Sequence, residues 1–217
     1  MKERDLYEPV RDFIESEFNC FHTAIEKGSK DGKIDVIGLR NTIGDLGGHT
    51  EVISVEVKPE KNTYLKSVGQ AYAYSVMADR CFLAVHKPYN RDFTQQEKDQ
   101  ALKIGVGLIK IGSHKECSIV SSSPIHTPLS SHKLSLLNKL GFVQCVMCNS
   151  LFKDKGMRNL KERSSITNAI RENKPFRYWL WGLSEQKEEE REYVYDRRHI
   201  CADCVQVFGG LIDSKKS

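Results

Sequence analysis

The stretch "KIDVIGLRNTIGDLGGHTEVISVEVKP", residues 33–59, decides the fold and the candidate site of this chain. Two runs rich in Val and Ile flank a Gly-rich centre at 44–48, a pattern that predicts a β-hairpin. Because strand side chains alternate between faces, Glu56 and Lys58 should share one face, with Asp35 in reach on the neighbouring strand. Charged groups are costly inside a sheet unless they are paired or bind a metal ion. This cluster therefore requires an explanation.

Apolar spacing predicts the elements around this hairpin. Helical periodicity indicates a first helix over 4–18 and a second over 64–80, and "CFLAVH" is typical of an interior strand. A further helix should end at Gly105, and closing strands follow at 107–112 and 117–122. The expected buried stripe of the second helix is Leu65, Val68, Tyr72, Val76 and Met77.

The order of these elements is helix, strand, strand, helix, strand, helix, strand, which indicates a mixed α/β sheet flanked by helices. The segment 121–133, "SSSPIHTPLSSHK", is rich in Ser and Pro and is interpreted as a linker. We therefore expect one domain over 1–125 and a smaller α+β domain over 133–217.

Composition describes an ordinary soluble globular protein, with 39% hydrophobic and 29% charged residues. The N-terminus is charged and helical rather than an export signal, and no apolar run is long enough to cross a bilayer. We expect an intracellular protein of the cytoplasm, nucleoid or nucleus with no membrane partner. Residues 1–130 carry 17 Lys and Arg against 18 Asp and Glu, whereas residues 131–217 carry 16 against 11. This basic excess suits a nucleic-acid backbone, or equally a solvated helical face.

The Asp35, Glu56 and Lys58 cluster has the residue types that phosphodiester hydrolysis requires. A hard divalent ion held by carboxylates neutralises the phosphoryl oxygens and activates water, and a nearby ammonium orients that water. The order of an acidic helix, an Asp strand, an ExK strand and a Gln helix resembles the PD-(D/E)xK nuclease superfamily, notably Mrr-like enzymes and archaeal Holliday-junction resolvases. The resemblance spans roughly residues 1–112, and Ile34 stands where the motif has proline.

The resemblance implies a restriction-endonuclease-like fold and a Mg²⁺- or Mn²⁺-dependent endonuclease that acts on DNA in preference to RNA. It implies that Asp35 and Glu56 bind the catalytic ion and that Lys58 positions the nucleophile. Glu8 on the first helix would assist through a second ion or water, and Gln70 would support the site or contact phosphate. Because restriction enzymes and resolvases often pair to cut two strands, it also implies a homodimer.

Plainer interpretations of the same residues remain open. Asp35 also fits an ordinary strand-end turn, and Glu56 with Lys58 fits a surface ion pair. Glu8 also fits an exposed helical glutamate, and Gln70 a solvated helix position. The alternative function is a catalytically silent adaptor that binds nucleic acid or protein through this scaffold.

Four of the seven cysteines form two CxxC pairs, "CVMC" and "CADC". Without an export signal, this pattern favours a metal over disulfides. Each pair brings two thiolates together across a tight knuckle, so both pairs can surround one structural Zn²⁺. The alternative is a redox dithiol or unrelated thiols, and His199 ranks second to a cysteine as ligand. The predicted zinc ligands are Cys145, Cys148, Cys201 and Cys204.

Overall fold

A computed structural model describes the chain over eleven segments and divides it into two compact units. The first unit is Met1–Ile43 with His49–Leu140, and the second is Gly44–Gly48 with Gly141–Ser217. The described segments are 2–29, 32–42, 49–60, 64–89, 91–145, 147–153, 158–159, 176–179, 197–201, 203–204 and 206–207.

A six-stranded mixed sheet forms the centre of the first unit. Its strands, in the order in which they neighbour one another, are β1 (His22–Ser29), β2 (Gly32–Thr42), β3 (His49–Lys58), β4 (Arg80–His86), β5 (Gly107–Ile111) and β6 (Cys117–Ser121). The β1–β2, β2–β3 and β5–β6 pairs are antiparallel, whereas β3–β4 and β4–β5 are parallel. The predicted class, a mixed sheet flanked by helices, is confirmed.

Both faces of this sheet are covered by apolar clusters. Helix α1 (Tyr7–Glu17) follows a 3-10 turn at Glu3–Leu6, and its buried side chains join the alternate residues of β3 in one cluster. Helices α2 (Tyr64–Ala73) and α3 (Gln95–Ile104) contribute to a second cluster, on the other face. The predicted alternation in β3 is confirmed, and it leaves Ser54, Glu56 and Lys58 on the face opposite the α1 cluster.

Helix α2 buries a different stripe from the one that its apolar periodicity predicts. Leu65, Tyr72 and Val76 are 58%, 45% and 38% exposed, so the expected stripe is wrong at these three positions. The buried residues are the small Ser67 and Ala71 together with Val68, while Tyr74 is buried on the 3-10 turn that follows. Small side chains allow the helix backbone to approach the sheet closely, which brings Tyr74 to strand β3.

The segment after β6 belongs to the first unit and is hydrogen-bonded to it. The Ser123 hydroxyl accepts a hydrogen bond from the Cys81 N–H at 3.0 Å, and the His126 N–H donates to the Asp79 carbonyl at 2.8 Å. Helix α4 (Ser130–Lys139) follows, and Lys133 donates to the Asp79 carboxylate at 2.9 Å. The first unit therefore extends to Leu140, beyond the predicted linker at 121–133, because polar groups of this segment pair with those at the start of β4.

The second unit contains short strands in its described parts, namely β7 (Phe142–Gln144), β8 (Leu151–Lys153), β9 (Arg158–Asn159), β10 (Phe176–Trp179) and β11 (Arg197–Ile200). Strands β7 and β8 pair antiparallel, β10 pairs antiparallel with β11, and β10 pairs parallel with β9.

Among the helices that the structure describes, none combines the length and apolar character that a membrane crossing requires.

Candidate functional site

The candidate site lies where β2 and β3 separate. Their antiparallel pairing ends with Val36 opposite Val55, and β3 then continues beside β4 in parallel register. The Asp35 carboxylate takes the place of the lost backbone partner: its Oδ2 accepts a hydrogen bond from the Val57 N–H at 2.8 Å. Asp35 is 8% exposed, so a buried carboxylate lies at the point where β2 and β3 stop pairing.

Glu56 is fully buried beside it, and its two oxygens have different surroundings. Oε2 accepts a hydrogen bond from the Tyr74 hydroxyl at 2.7 Å. Oε1 lies 2.5 Å from the Lys58 ammonium as an ion pair, but no donor meets it in hydrogen-bond alignment. Oε2 is thus held by a hydrogen bond, whereas Oε1 faces the charged cluster and still has a lone pair that can accept a hydrogen bond or bind a cation.

Lys58 lies among three carboxylates. Its Nζ is 2.5 Å from Glu56 Oε1, 3.1 Å from Glu3 Oε1 and 4.0 Å from Asp35 Oδ2. Burial lowers the pKa of Lys58, but its pairing with these carboxylates outweighs burial and raises the pKa above the ordinary value. The side chain is therefore an ammonium, and its N–H groups are hydrogen-bond donors.

Burial makes negative charge unfavourable at this position. It raises the pKa of Asp35, although the Val57 N–H and Lys58 act in the opposite direction. It also raises the pKa of Glu56 to about 6, against the lowering effects of Lys58 and Tyr74. One ammonium thus compensates incompletely for the buried carboxylates, and additional positive charge would stabilise their ionised forms.

Tyrosine hydroxyls contact both buried carboxylates. Tyr7 Oη lies 2.9 Å from Asp35 Oδ1 and 3.1 Å from Glu3 Oε1. Burial is the largest effect that raises the pKa of Tyr7 and of Tyr74, so both remain neutral and can donate. Each carboxylate is therefore oriented by a neighbouring phenol.

The structure brings together three of the five predicted active-site residues, Asp35, Glu56 and Lys58. Gln70 is exposed and reaches the site only indirectly, with Nε2 3.5 Å from the Tyr74 hydroxyl. Glu8 is exposed in the first turn of α1. It does not contact the carboxylate cluster.

Glu3, Tyr7 and Tyr74 also belong to the cluster, although none of them is part of the predicted motif. Spacing carries a signal for all three of these residues. Glu3 and Tyr7 are four residues apart, which places them on one helical face, and the same spacing separates Gln70 from Tyr74.

These residues fit a divalent cation. Glu3, Asp35 and Glu56 oppose a single Lys58, so the ionised cluster has a net charge of −2. Glu56 Oε1 offers a buried acceptor without an aligned donor, and carboxylate oxygens are the ligands that Mg²⁺ prefers. Asp35 and Glu56 are the residues that would hold it.

The four predicted zinc ligands also lie together, within the second unit. Their sulfur atoms are all within 4.8 Å of one another, and Cys148 Sγ is 3.7 Å from Cys201 Sγ. Four thiolates at the usual Zn–S length of about 2.3 Å around a tetrahedral ion would be separated by about 3.8 Å. The set could therefore hold a metal ion such as zinc, and its members are Cys145, Cys148, Cys201 and Cys204.

Backbone hydrogen bonds shape the first of these pairs into a tight turn. The Cys145 N–H donates to the Ser150 carbonyl at 2.8 Å, and the Asn149 N–H returns to the Cys145 carbonyl at 2.9 Å. Burial raises the pKa of Cys148, but its hydrogen bonds to Ser150 outweigh burial and lower it to about 7. The His199 side chain and the basic segment 154–157 and 160–175 lie outside the described residues.

Comparison with known proteins gives distant similarities in structure. No protein-family model matches the chain, and no curated protein matches it. A protein of unknown function from Silicibacter pomeroyi is 19% identical, with a TM-score of 0.44, over 64% of this chain and 84% of its own. SfsA from Pyrococcus furiosus, solved in complex with Ca²⁺, is 12% identical, with a TM-score of 0.30, over 57% of this chain and 65% of its own. Similarities at this level carry no argument about fold or activity, so the functional case depends on the site geometry.

Proposed function

We propose that this chain is a metal-dependent phosphodiesterase, an endonuclease that cleaves DNA in preference to RNA. The observation that carries the proposal is the environment of Glu56. Its carboxylate is fully buried, Oε1 has no aligned hydrogen-bond donor, and Lys58 and Asp35 lie beside it. An ordinary surface ion pair would be solvated, whereas this arrangement keeps charge out of water at a cost to folding.

The charge of the cluster supports a divalent ion as cofactor. When bound by Asp35 and Glu56, Mg²⁺ or Mn²⁺ would neutralise phosphoryl oxygens and make water nucleophilic at neutral pH. The chain supplies the orientation: Tyr7 and the Val57 N–H fix Asp35, and Tyr74 fixes Glu56.

Lys58 would act as a hydrogen-bond donor rather than as a base. Three carboxylates keep it protonated, so its N–H groups can position a water molecule or stabilise charge on a phosphoryl oxygen. Glu3, at 3.1 Å, would keep the ammonium beside the site when the cation takes its place at Glu56 Oε1. Lys58 and Glu56 are thus the residues whose loss should abolish the chemistry.

The second unit would contribute binding rather than chemistry. A site with four cysteine ligands is closed, which leaves no open coordination position, so its zinc would be structural. The basic excess of residues 131–217 suits a polyanion, and the resemblance to Mrr-like nucleases is the reason for choosing DNA.

The test is cleavage of supercoiled plasmid in Mg²⁺ or Mn²⁺, compared with EDTA. Wild type should nick or linearise the plasmid, and Glu56→Gln and Lys58→Met should lose at least about 100-fold in rate, as expected for groups that stabilise transition-state charge. The matched control is Lys133→Met. Its side chain is 18% exposed, near the 12% of Lys58, and it pairs with Asp79 at the opposite end of β3.

If Lys133→Met cleaves at the wild-type rate, the loss of activity in Lys58→Met does not come merely from removing a half-buried lysine. Wild-type cleavage no faster than that of Glu56→Gln would refute the nuclease and favour the adaptor function. A single-stranded RNA substrate cleaved faster than the matched DNA would keep the chemistry and reverse the substrate assignment.

A further inference from the structure

Tyr74 occupies a position in the site that the nuclease motif does not include. It lies on the 3-10 turn Tyr74–Val76 that follows α2, and it is 6% exposed. Its hydroxyl donates to Glu56 Oε2 at 2.7 Å and lies 2.9 Å from the Lys33 carbonyl oxygen. The hydroxyl is therefore placed between a residue of β2 and a residue of β3.

These contacts lie beyond the point where the two strands stop pairing. The β2–β3 ladder ends at Val36 and Val55, so no backbone hydrogen bond of that ladder joins Lys33 to Glu56. The Tyr74 hydroxyl lies in this gap, within reach of both residues, and donates its one proton to Glu56. Gln70 Nε2, at 3.5 Å, approaches the same oxygen from α2.

The contact also selects which oxygen of Glu56 remains available. A glutamate has several rotatable bonds, and a hydrogen bond to Oε2 fixes the plane of its carboxylate. In that plane Oε1 meets Lys58 at 2.5 Å and has no aligned donor of its own. Without the phenol, the carboxylate could rotate and offer Oε1 at a range of positions.

We propose that Tyr74 is a positioning residue of the cation site: by donating its hydroxyl proton to Glu56 Oε2, it holds Glu56 Oε1 in the orientation that binds the divalent ion. This inference rests on the proposed function, and it adds a determinant of metal affinity that touches neither metal nor phosphate. Partners that orient a metal ligand typically change metal affinity by about 10- to 100-fold when removed.

The experiment measures the Kd for Mn²⁺ by isothermal titration calorimetry on the full-length protein, with thermal unfolding in EDTA recorded for every variant. Tyr74→Phe removes one hydroxyl and should weaken Mn²⁺ binding about 10-fold. The matched control is Tyr64→Phe, because Tyr64 begins the helix that Tyr74 follows and its hydroxyl donates to the Glu97 carbonyl at 2.6 Å. That variant should lose stability and keep the wild-type Kd.

A Tyr74→Phe protein that binds Mn²⁺ as tightly as wild type would overturn this inference alone, since the proposed site would still be shown. A wild-type protein without Mn²⁺ binding at millimolar concentration would overturn the proposed function and the inference together. Equal weakening in Tyr74→Phe and Tyr64→Phe would assign the effect to general loss of stability and so also contradict a positioning role.

A measurement on the wild-type protein covers the case in which Tyr74→Phe does not fold. Tyrosine labelled with ¹³C at Cζ reports the hydrogen bonding of each phenol during a Mg²⁺ titration, with resonances assigned through Phe variants of the other tyrosines. The Tyr74 resonance should shift with the midpoint of Mg²⁺ binding, while that of Tyr64 stays constant. A Tyr74 resonance that does not respond to bound Mg²⁺ would overturn the inference.

Discussion

Replacing Lys58 by Met should destabilise the metal-free protein and make its stability strongly dependent on Mg²⁺. The Lys58 side chain is 12% exposed and Glu56 is fully buried, so water cannot readily replace the ammonium 2.5 Å from Oε1. Loss of one partner from a buried ion pair costs about 3–5 kcal/mol. We therefore expect the free energy of unfolding in EDTA at pH 8 to fall by about 3 kcal/mol or more.

A divalent cation bound at Glu56 should restore the stability that is lost with the Lys58 ammonium. At about 100 times its Kd, a ligand specific to the folded state adds about 3 kcal/mol. The increase should be larger in Lys58→Met than in wild type, because no ammonium competes for Glu56 Oε1. Urea denaturation in EDTA and in saturating MgCl₂ measures this difference.

Lys133→Met provides the comparison for this assay. It also removes a half-buried lysine, 2.8 Å from Asp79 Oδ2, at the opposite end of β3 from Lys58. Its stability should fall by a similar amount, but Mg²⁺ should add no more than it adds to wild type. An equal Mg²⁺ response in the two variants would refute the assignment of Lys58 and Glu56 to a cation site.

Three further predictions test other parts of the molecule. Burial raises the pKa of Glu56 to about 6, above the ordinary 4.5. Ionisation of this buried carboxylate therefore lowers the free energy of unfolding, an effect that is absent below pH 4.5 and complete above pH 6. The free energy of unfolding of wild type relative to Glu56→Gln, measured in EDTA, should therefore fall by about 2 kcal/mol between pH 4.5 and 7, and a flat difference would contradict the burial argument. Elemental analysis should find one Zn per chain in protein purified without chelator, less in Cys148→Ser, and no change in Cys117→Ser, whose thiol is not one of the four clustered sulfurs; a zinc-free wild type would defeat the zinc assignment. Gly107→Ala should cost about 1–3 kcal/mol, because its Cβ would overlap a neighbouring phenyl ring, whereas Gly69→Ala, in open space on α2, should stabilise the protein by about 0.5–1 kcal/mol in thermal unfolding.

The sheet and the carboxylates were accessible from sequence because both depend on strand alternation. Once Ile53, Val55 and Val57 are assigned to the core, Glu56 and Lys58 must share the other face, and the structure has them there. Pro59 also ends β3 at Lys58 as its missing N–H requires.

The residues that support those carboxylates could not be found by the same rule. The predicted second helix continues to residue 80 in α-helical phase, whereas α2 ends at Ala73 and becomes a 3-10 turn. Tyr74, on that turn, is buried against the sheet, whereas Tyr72 lies within α2 and is exposed because the helix buries Ser67, Val68 and Ala71 instead. At the N-terminus, a 3-10 turn before α1 brings Glu3 to Lys58, while Glu8 on the regular helix stays exposed. Local periodicity does not report such departures from the α-helix.

The most direct test of the cation site is an anomalous difference map from a crystal of the wild-type protein grown with Mn²⁺. A peak contacted by Glu56 Oε1 and an Asp35 oxygen, with the Lys58 ammonium displaced from Glu56, is the expected result. Full Mn²⁺ occupancy elsewhere in the crystal, with Lys58 still paired to Glu56 and no peak between the two carboxylates, would contradict it.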